Sequence, residues 1–492
     1  MKVVLISAPY FDVYGSLNVG KNHTFSLGVG YLAAVLRQGG HEVALLDPEP
    51  REMGEEGVLA YLREKEPELV GISSATANFK GAQRMAVLAR QATRASIVVG
   101  GVHASALPFE VLESCPQFDL VVVGEGEETL LELCARLEEG RRDLGELRGL
   151  AYRENDSGEA VIRDPMKRGL KLQRTPPRPL IEELDRLPFP ARDLVNLDLY
   201  RPQVHLYRGR KSTTLITSRG CPARCTFCAT GVTLGNRIRF HSPQYVLSEI
   251  EHLVKAYGVQ DVIIVDDTFT ASAQRTKEIC RLILERGLPI GWFCFARVNN
   301  ASRELFELMK QAGCFSLFFG VESADPQVLK NIKKGTTVEQ ARQAMQLANE
   351  LGFKTEAGFM FGNPGDTRET IEKTIEFALE LSPVIGSFNI MVPFPGTEEY
   401  ERHRQKNPDG LRDWDHYVPK GVHPIIQLEG LSRGDLQRYI SRAYLRFYLR
   451  PRQIFRILRN LSSSTELWTY LRGALGLFRR IREWRQELKK AK

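Results

Sequence analysis

The sequence predicts an α/β protein with three parts. A doubly wound, Rossmann-like N-terminal domain comes first, then a partial (β/α)6 barrel, then a helical C-terminal region. Three observations predict it. Short apolar runs alternate with helical periodicity in two successive series along the 492 residues. Three cysteines fall within eight residues, directly after the first strand of the second series. Basic charge collects at the far end of the chain.

The first series places apolar strands at 3–6, 43–46, 69–72, 97–99 and 120–123, with helical patterns such as 30–38 and 80–95 between them. Buried strands separated by helices argue for a parallel, doubly wound sheet over 1–145. Its ligand belongs at the carboxyl ends of the strands. Those ends carry Ser73 and Ser74, then Gly100, Gly101 and His103, then Gly124, Glu125 and Gly126. Glycine admits close backbone approach and hydroxyls add hydrogen-bonding groups. Any one of these loops is equally a plain strand-to-helix turn. Three on one edge favour a large, flat ligand.

Residues 146–205 read as a linker. Asn155-Asp156-Ser157-Gly158 is a turn signal, and Pro176, Pro177, Pro188 and Pro190 are breakers. The second series, over 206–400, places strands at 213–217, 262–265, 292–296, 316–319, 355–361 and 387–391. Six strands with helical spacers predict a partial parallel barrel with its site at the carboxyl edge.

Residues 401–492 read as helical and basic. From 440 onward about fourteen Lys and Arg face three acidic residues, so the tail holds about +11 of a net +7 and the body is slightly acidic. Over 467–484 aromatic and aliphatic residues interleave with arginine. Three readings stand: a solvated basic face packed on the barrel, peripheral membrane contact, or nucleic-acid contact. Nucleic acid ranks last, because the body is acidic and no RNA-binding module is recognisable.

Composition excludes other classes. Hydrophobic residues make up 43% and charged residues 26%, which is globular and not disordered. No apolar run approaches the roughly 18 residues of a transmembrane helix. The apolar start, 1–7, reads as a first strand and not a signal peptide. Eight cysteines are too sparse for a disulfide framework, so reduced thiols in the cytoplasm are expected.

The central constellation is Gly220-Cys221-Pro222-Ala223-Arg224-Cys225-Thr226-Phe227-Cys228. Three thiolates on one loop suit zinc or an iron–sulfur cluster, and no histidine follows at finger spacing. A [4Fe–4S] cluster takes one cysteine per iron, so three cysteines leave one iron open for chemistry. Of the other thiols, Cys115, Cys134 and Cys280 read as buried and structural. Cys294 and Cys314 adjoin barrel strands, where a supporting role or a radical relay stays open.

This loop resembles the signature of the radical S-adenosylmethionine (SAM) enzymes. The resemblance implies a [4Fe–4S] cluster on Cys221, Cys225 and Cys228, with SAM on the open iron and Phe227 near the adenine. Reductive cleavage of SAM would give a 5′-deoxyadenosyl radical. Gly320-Val321-Glu322-Ser323 is similar to the family's SAM-contacting segment, with Glu322 and Ser323 toward the ribose or amino-acid part. Gly358 and Gly362 lie in a stretch that resembles the glycine-rich motif beside the adenine, and Pro393-Phe394-Pro395-Gly396-Thr397 also fits. Asp266, Asp267 and Arg297 end neighbouring strands, where a structural ion pair and a direct role both stay open.

The N-terminal domain resembles the cobalamin-binding domain of one large branch of these enzymes, through 27–34, 71–74, 99–105 and 123–127. The resemblance makes Ser73, Ser74, Gly100, Gly101, His103, Gly124, Glu125 and Gly126 cobalamin contacts. The Asp-x-His-x-x-Gly motif is absent, which implies binding without that histidine beneath cobalt; His23 is the loop histidine that could approach it.

The implied reaction is methylation of an unreactive carbon of a small-molecule substrate through methylcobalamin. The alternative is oxidative cyclisation or rearrangement with the same cofactors. Transfer-RNA methylthiolation is rejected, because the N-terminal domain has only Cys115 and Cys134 where that family needs a second trio. A cobalamin-sensing scaffold with a structural cluster is the non-enzyme reading. An electron donor such as flavodoxin or ferredoxin is implied. The basic tail alone suggests a lipophilic substrate.

Overall fold

The computed structural model describes residues 1–10, 23–164, 170–203, 206–407, 411, 413–417, 425–461 and 467–468. Of the expected amphipathic stretch 467–484, only Leu467 and Trp468 fall among them.

The first sheet contains β1 (Lys2–Ser7), β2 (Glu42–Leu46), β3 (Leu69–Ser73), β4 (Ser96–Gly100), β5 (Leu120–Val122), β6 (Leu150–Glu154) and β7 (Lys171–Arg174). Their spatial order is β2-β1-β3-β4-β5-β6-β7. The pairs through β5 are parallel, and β6 and β7 add antiparallel. Apolar side chains cover both faces, as a parallel sheet requires.

The last two strands correct the expectation of a linker from 146. β7 reads Lys-Leu-Gln-Arg on the sheet's outer edge, so no apolar pattern announces it. The prolines that follow shape an ordered strap, whose Ile181, Leu184, Leu187, Leu197 and Tyr200 enter the first core. Arg192 of the strap is 1% exposed; it donates to the Thr214 carbonyl (2.9 Å) and pairs with buried Glu249 (2.8 Å).

The second sheet contains β8 (Ser212–Leu215), β11 (Asp261–Ile264), β12 (Gly291–Ala296), β13 (Cys314–Glu322), β14 (Lys354–Phe361) and β15 (Ile385–Ile390), all parallel and in chain order. Between β8 and β11 a two-stranded ribbon forms from β9 (Ser218–Arg219) and β10 (Arg239–Phe240).

Strand alternation separates two layers. Leu317, Phe319 and Val321 of β13, with Trp292 and Cys294 of β12, meet the helices in one core. The opposite face carries Phe293, Phe295 and Phe318, whose rings pack against each other at 5.1 Å. These aromatics plug the barrel interior below the catalytic edge.

β15 is an open edge, and bare edges invite wrong pairing. The helix Arg433–Tyr448 covers it. Tyr444 and Tyr448, one turn apart, donate to the Phe388 and Gly386 carbonyls at 3.2 and 3.1 Å. Among the described residues no helix is long and apolar enough to cross a membrane.

Candidate active site

The three-cysteine loop leaves β8 and is fixed at its start by one buried carboxylate. Asp266, at the end of β11, accepts from the Thr217 N–H, the Thr217 hydroxyl and the Ser218 hydroxyl, each at 2.6 Å. Burial pushes its pKa up, and these donors oppose the shift. Asp266 is therefore a positioning group and not an ion-pair partner. Gly220 follows with φ +85°, where a Cβ would collide with the Arg237 and Leu234 carbonyls.

Farther along, the Thr226 N–H donates to the Ile332 carbonyl at 3.1 Å, and the Thr226 carbonyl accepts from the Glu399 N–H at 3.1 Å. The loop is thus sewn to the helical segments that follow β13 and β15. Cys221 and Cys225 are half-buried and Cys228 is exposed. Cys228 Sγ lies 3.3 Å from Thr230 Oγ1, which donates to Asp267 at 2.7 Å. Among the described residues no three His, Cys, Asp or Glu converge on a single-ion site. A cluster needs its thiolates spread, one per iron.

Facing the cysteines, the inward positions of the barrel form a trough. Gly320 of β13 is level with Gly358 of β14, and Gly358 with Ser387 of β15. The trough is filled from within the chain: the Phe318 ring lies over Gly358, and the Glu322 carboxylate and Lys334 ammonium lie over Gly320. Charge gathers above the trough. Lys334 Nζ donates to Glu322 at 2.7 Å, and Arg297 donates to the Lys334 carbonyl at 2.5 Å. Burial raises the Cys225 pKa, while the neighbouring Lys334 and Arg297 pull it down. Phe227 packs with Leu329, Ile332, Met360, Met391 and Ile426, an apolar wall fit for a flat ring. Gly362, with φ +84°, turns the chain beside Ile426 in the same wall.

Ser323 departs from the expectation. It is 1% exposed, its hydroxyl accepts from the Asp325 N–H (3.1 Å), and it lies 3.3 Å from Thr374 Oγ1. It faces the helix Arg368–Leu381, just past an irregular strand end where Glu322 takes φ +68°. Cys294 and Cys314 also lie on the helical side near Cys280, and the Cys314 thiol donates to the Ser316 carbonyl at 3.6 Å. Burial pushes the Cys115 and Cys134 thiols up to about 11 and about 12.

Across from the cysteine loop, the first sheet presents glycines. A cavity of about 280 Å³ lies between this sheet and the residues that flank the loop, and none of the three cysteines lines it. Ser73, Gly100, Gly101, Gly124 and Gly126 line it from one side; Ile216, Arg219, Thr233 and Leu234 line it from the other. Its floor descends between strands to Leu5, Gly71 and Val98. Gly101 has φ +98°, and a Cβ there would collide with the Ser74 carbonyl. Beside this approach, the buried Ser74 hydroxyl has no hydrogen-bond partner in the protein. A large ligand with polar edges fits that cradle. A wider groove of about 780 Å³ runs past Asp185, His241 and Glu278, but none of the cysteines or cradle glycines line it.

One expected cobalamin contact, His103, is corrected, and a second, Glu125, is held within the chain. His103 is 1% exposed, with its ring 4.2 Å from Phe79 and 4.7 Å from Trp414, and its Nδ1 3.2 Å from Thr76 Oγ1. Burial drives its pKa down to about 3, so it is a neutral core residue. Glu125 lines the cavity, but its carboxylate is fully engaged. Arg219 donates to one oxygen at 2.9 Å; Arg239 and the Ile181 N–H donate to the other, each at 2.8 Å. His23 sits 3.8 Å from Glu49.

Arg219 is the residue that motif reading missed. It stands two positions before Cys221 and also donates to Glu127 at 2.7 Å. Burial alone would lower its pKa, yet the two glutamates raise it overall. Its guanidinium also lies over the Tyr31 ring, 5.0 Å from the centroid. Nothing local in the sequence pairs it with Glu125, 94 residues away. Lys334 was missed as well; the signal was its place in the turn before Gly335, opposite the Arg297 strand end.

Comparison with known proteins agrees with this geometry. The Radical SAM superfamily model matches residues 215–378, and the B12 binding domain model matches residues 17–134. An uncharacterized methyltransferase of Pyrococcus horikoshii is 33% identical over 87% of this chain and 89% of its own length. The anaerobic magnesium-protoporphyrin IX monomethyl ester cyclase of Rubrivivax gelatinosus is 29% identical over 86% of this chain and 73% of its own. The fold is that of the radical S-adenosylmethionine methyltransferase TsrM from Kitasatospora setae, whose structure has cobalamin and a [4Fe–4S] cluster bound. The TM-score is 0.65, with 23% identity over 82% of this chain and 78% of that one. The chain belongs to the radical SAM enzymes that carry an N-terminal B12-binding domain.

Proposed function

We propose that this enzyme methylates an unreactive carbon of a small-molecule substrate. One observation carries the reading most: across one cavity the glycine cradle faces Ile216, Arg219, Thr233 and Leu234, which flank the cysteine loop, and Arg219 bridges the two sides through Glu125 and Glu127. When bound, the [4Fe–4S] cluster and cobalamin supply one-electron cleavage of SAM and a transferable methyl group.

The chain's own residues have distinct tasks. Cys221, Cys225 and Cys228 would hold three irons and leave the fourth for SAM. Glu322, held by Lys334, would accept from the SAM ribose or amino group, while Arg297 would steady a carboxylate. Phe227 and the wall around Met360 would receive the adenine. Ser73, Ser74, Gly100, Gly101, Gly124 and Gly126 would hold cobalamin. Phe293, Phe295 and Phe318 close the barrel from below and exclude water from a radical. A reduced flavodoxin or ferredoxin would supply the electron.

Cyclisation without methyl transfer is the second reading, favoured by the likeness to the Rubrivivax cyclase. Anaerobic reconstitution with iron, sulfide and hydroxocobalamin, then reduction with SAM, separates the two. Deoxyadenosine together with S-adenosylhomocysteine is expected. Deoxyadenosine alone, with cobalamin bound, would replace methylation with cyclisation.

A further inference from the structure

The helix Pro451–Arg459 is built inside out. Its inward side is polar. Gln453 is 1% exposed and donates to the Pro383 and Val384 carbonyls at 3.1 and 2.8 Å. Arg456 donates to the Ser382 carbonyl, and Arg450, just before the helix, donates to Leu379 at 2.9 Å. These bonds satisfy carbonyls at and beyond the end of the helix Arg368–Leu381.

Its outward side is apolar. Ile454, Phe455 and Leu458 are 46%, 68% and 53% exposed. With Pro451 and Leu461 they recur at helical spacing, so they form one stripe. Leu449 adds to it at 51%. A surface helix ordinarily hides such a stripe, and this one is fastened by its polar side so that the stripe faces out. Arg452 and Arg459 are exposed beside it, and the helix contains no acidic residue.

We propose that this stripe docks the enzyme on an anionic lipid surface. Apolar side chains would enter the headgroup boundary while the arginines meet lipid phosphates. The helix is far too short to span a bilayer, so the contact is peripheral. A second copy is the weaker occupant. The stripe exposes roughly 400 Å², about half of what each partner in a stable interface buries. Two facing stripes would also bring like-charged arginine rows together. The inference is independent of the reaction proposed above.

Flotation of the full chain with vesicles tests it. One set is equal parts phosphatidylcholine and phosphatidylglycerol; the other is phosphatidylcholine alone. The expectation is binding to the anionic set, weakened by salt, with much less on the neutral set. Phe455→Asp with Leu458→Asp should lower partitioning at least about ten-fold. Both positions are solvent-facing, so the variant folds, which circular dichroism checks. The proposal is overturned if the parent chain ignores anionic vesicles or if the double variant floats equally well. It also fails if light scattering finds a dimer that the double variant dissolves, because the stripe then joins two copies.

Discussion

The two domains bring opposite materials to the proposed site. The barrel side works through side chains: three thiolates, the Glu322–Lys334 pair, Arg297 and the Phe227 wall. The Rossmann side works through backbone and the absence of side chains, with glycines at 100, 101, 124 and 126. Where it does offer charge, in Glu125 and Glu127, both carboxylates are turned to Arg219. The difference teaches how each side can fail. Removing a group disables the barrel side, whereas adding one disables the Rossmann side.

The largest effect should come from removal. Cys221→Ala, Cys225→Ala and Cys228→Ala each take one ligand from the cluster. Iron and sulfide content should fall, and deoxyadenosine formation should drop to the assay background, while cobalamin still binds. Retained SAM cleavage in any of the three would break the assignment.

The bridge comes next. Arg219→Met leaves two buried carboxylates short of a cation, at a cost of about 3–5 kcal/mol. Denaturant unfolding should show that loss. Adding Glu127→Gln should recover part of it, with a coupling of about 0.5–3 kcal/mol. Strict additivity of the two changes would show that the bridge does not join the domains.

The comparison also explains what the sequence revealed. Every barrel strand was legible, because each is buried and most carry an apolar run, although β8 reads Ser-Thr-Thr-Leu. The cysteine loop was legible because its ligands are local. β7 was hidden because an edge strand can be polar. The partners of Glu125 and His103 were hidden for a shared reason. Each sits in a loop of the right kind, but its partners lie far along the chain: Arg219 and Arg239 for one, Trp414 for the other. Sequence shows which residues stand at an edge and not which way long-range contacts turn them.

A matched pair of additions probes the cradle. Gly101→Ala drives a methyl group into the Ser74 carbonyl at positive φ, whereas Gly124→Ala, at φ +87°, meets nothing within 4 Å. Strain and overpacking together should cost Gly101→Ala about 2–5 kcal/mol. Strain alone should cost Gly124→Ala about 1 kcal/mol. Hydroxocobalamin uptake, read by equilibrium dialysis and visible absorbance, should fall sharply for the first variant and little for the second. Cluster content should persist in both. Equal uptake by the two would mean the close approach of Ser74 and Gly101 does not shape the cobalamin site.

The smallest effect concerns His103, an aromatic side chain expected to serve cobalamin directly. Burial lowers its pKa from 6.5 to about 3, so the folded state favours the neutral ring. Between those values the unfolded chain binds the extra proton. The stability that His103 contributes is therefore complete above pH 6.5 and is lost progressively as pH falls toward about 3. Buried His241, lowered to about 4, acts in the same direction. His103→Phe keeps a ring between Phe79 and Trp414 but has no proton to take up. Its unfolding free energy should fall less steeply with acid than the parent's, by up to one proton in the slope. Cobalamin uptake at neutral pH should stay unchanged. A large loss of cobalamin with an unaltered pH slope would return His103 to the cofactor and give the Rossmann side a side chain of its own.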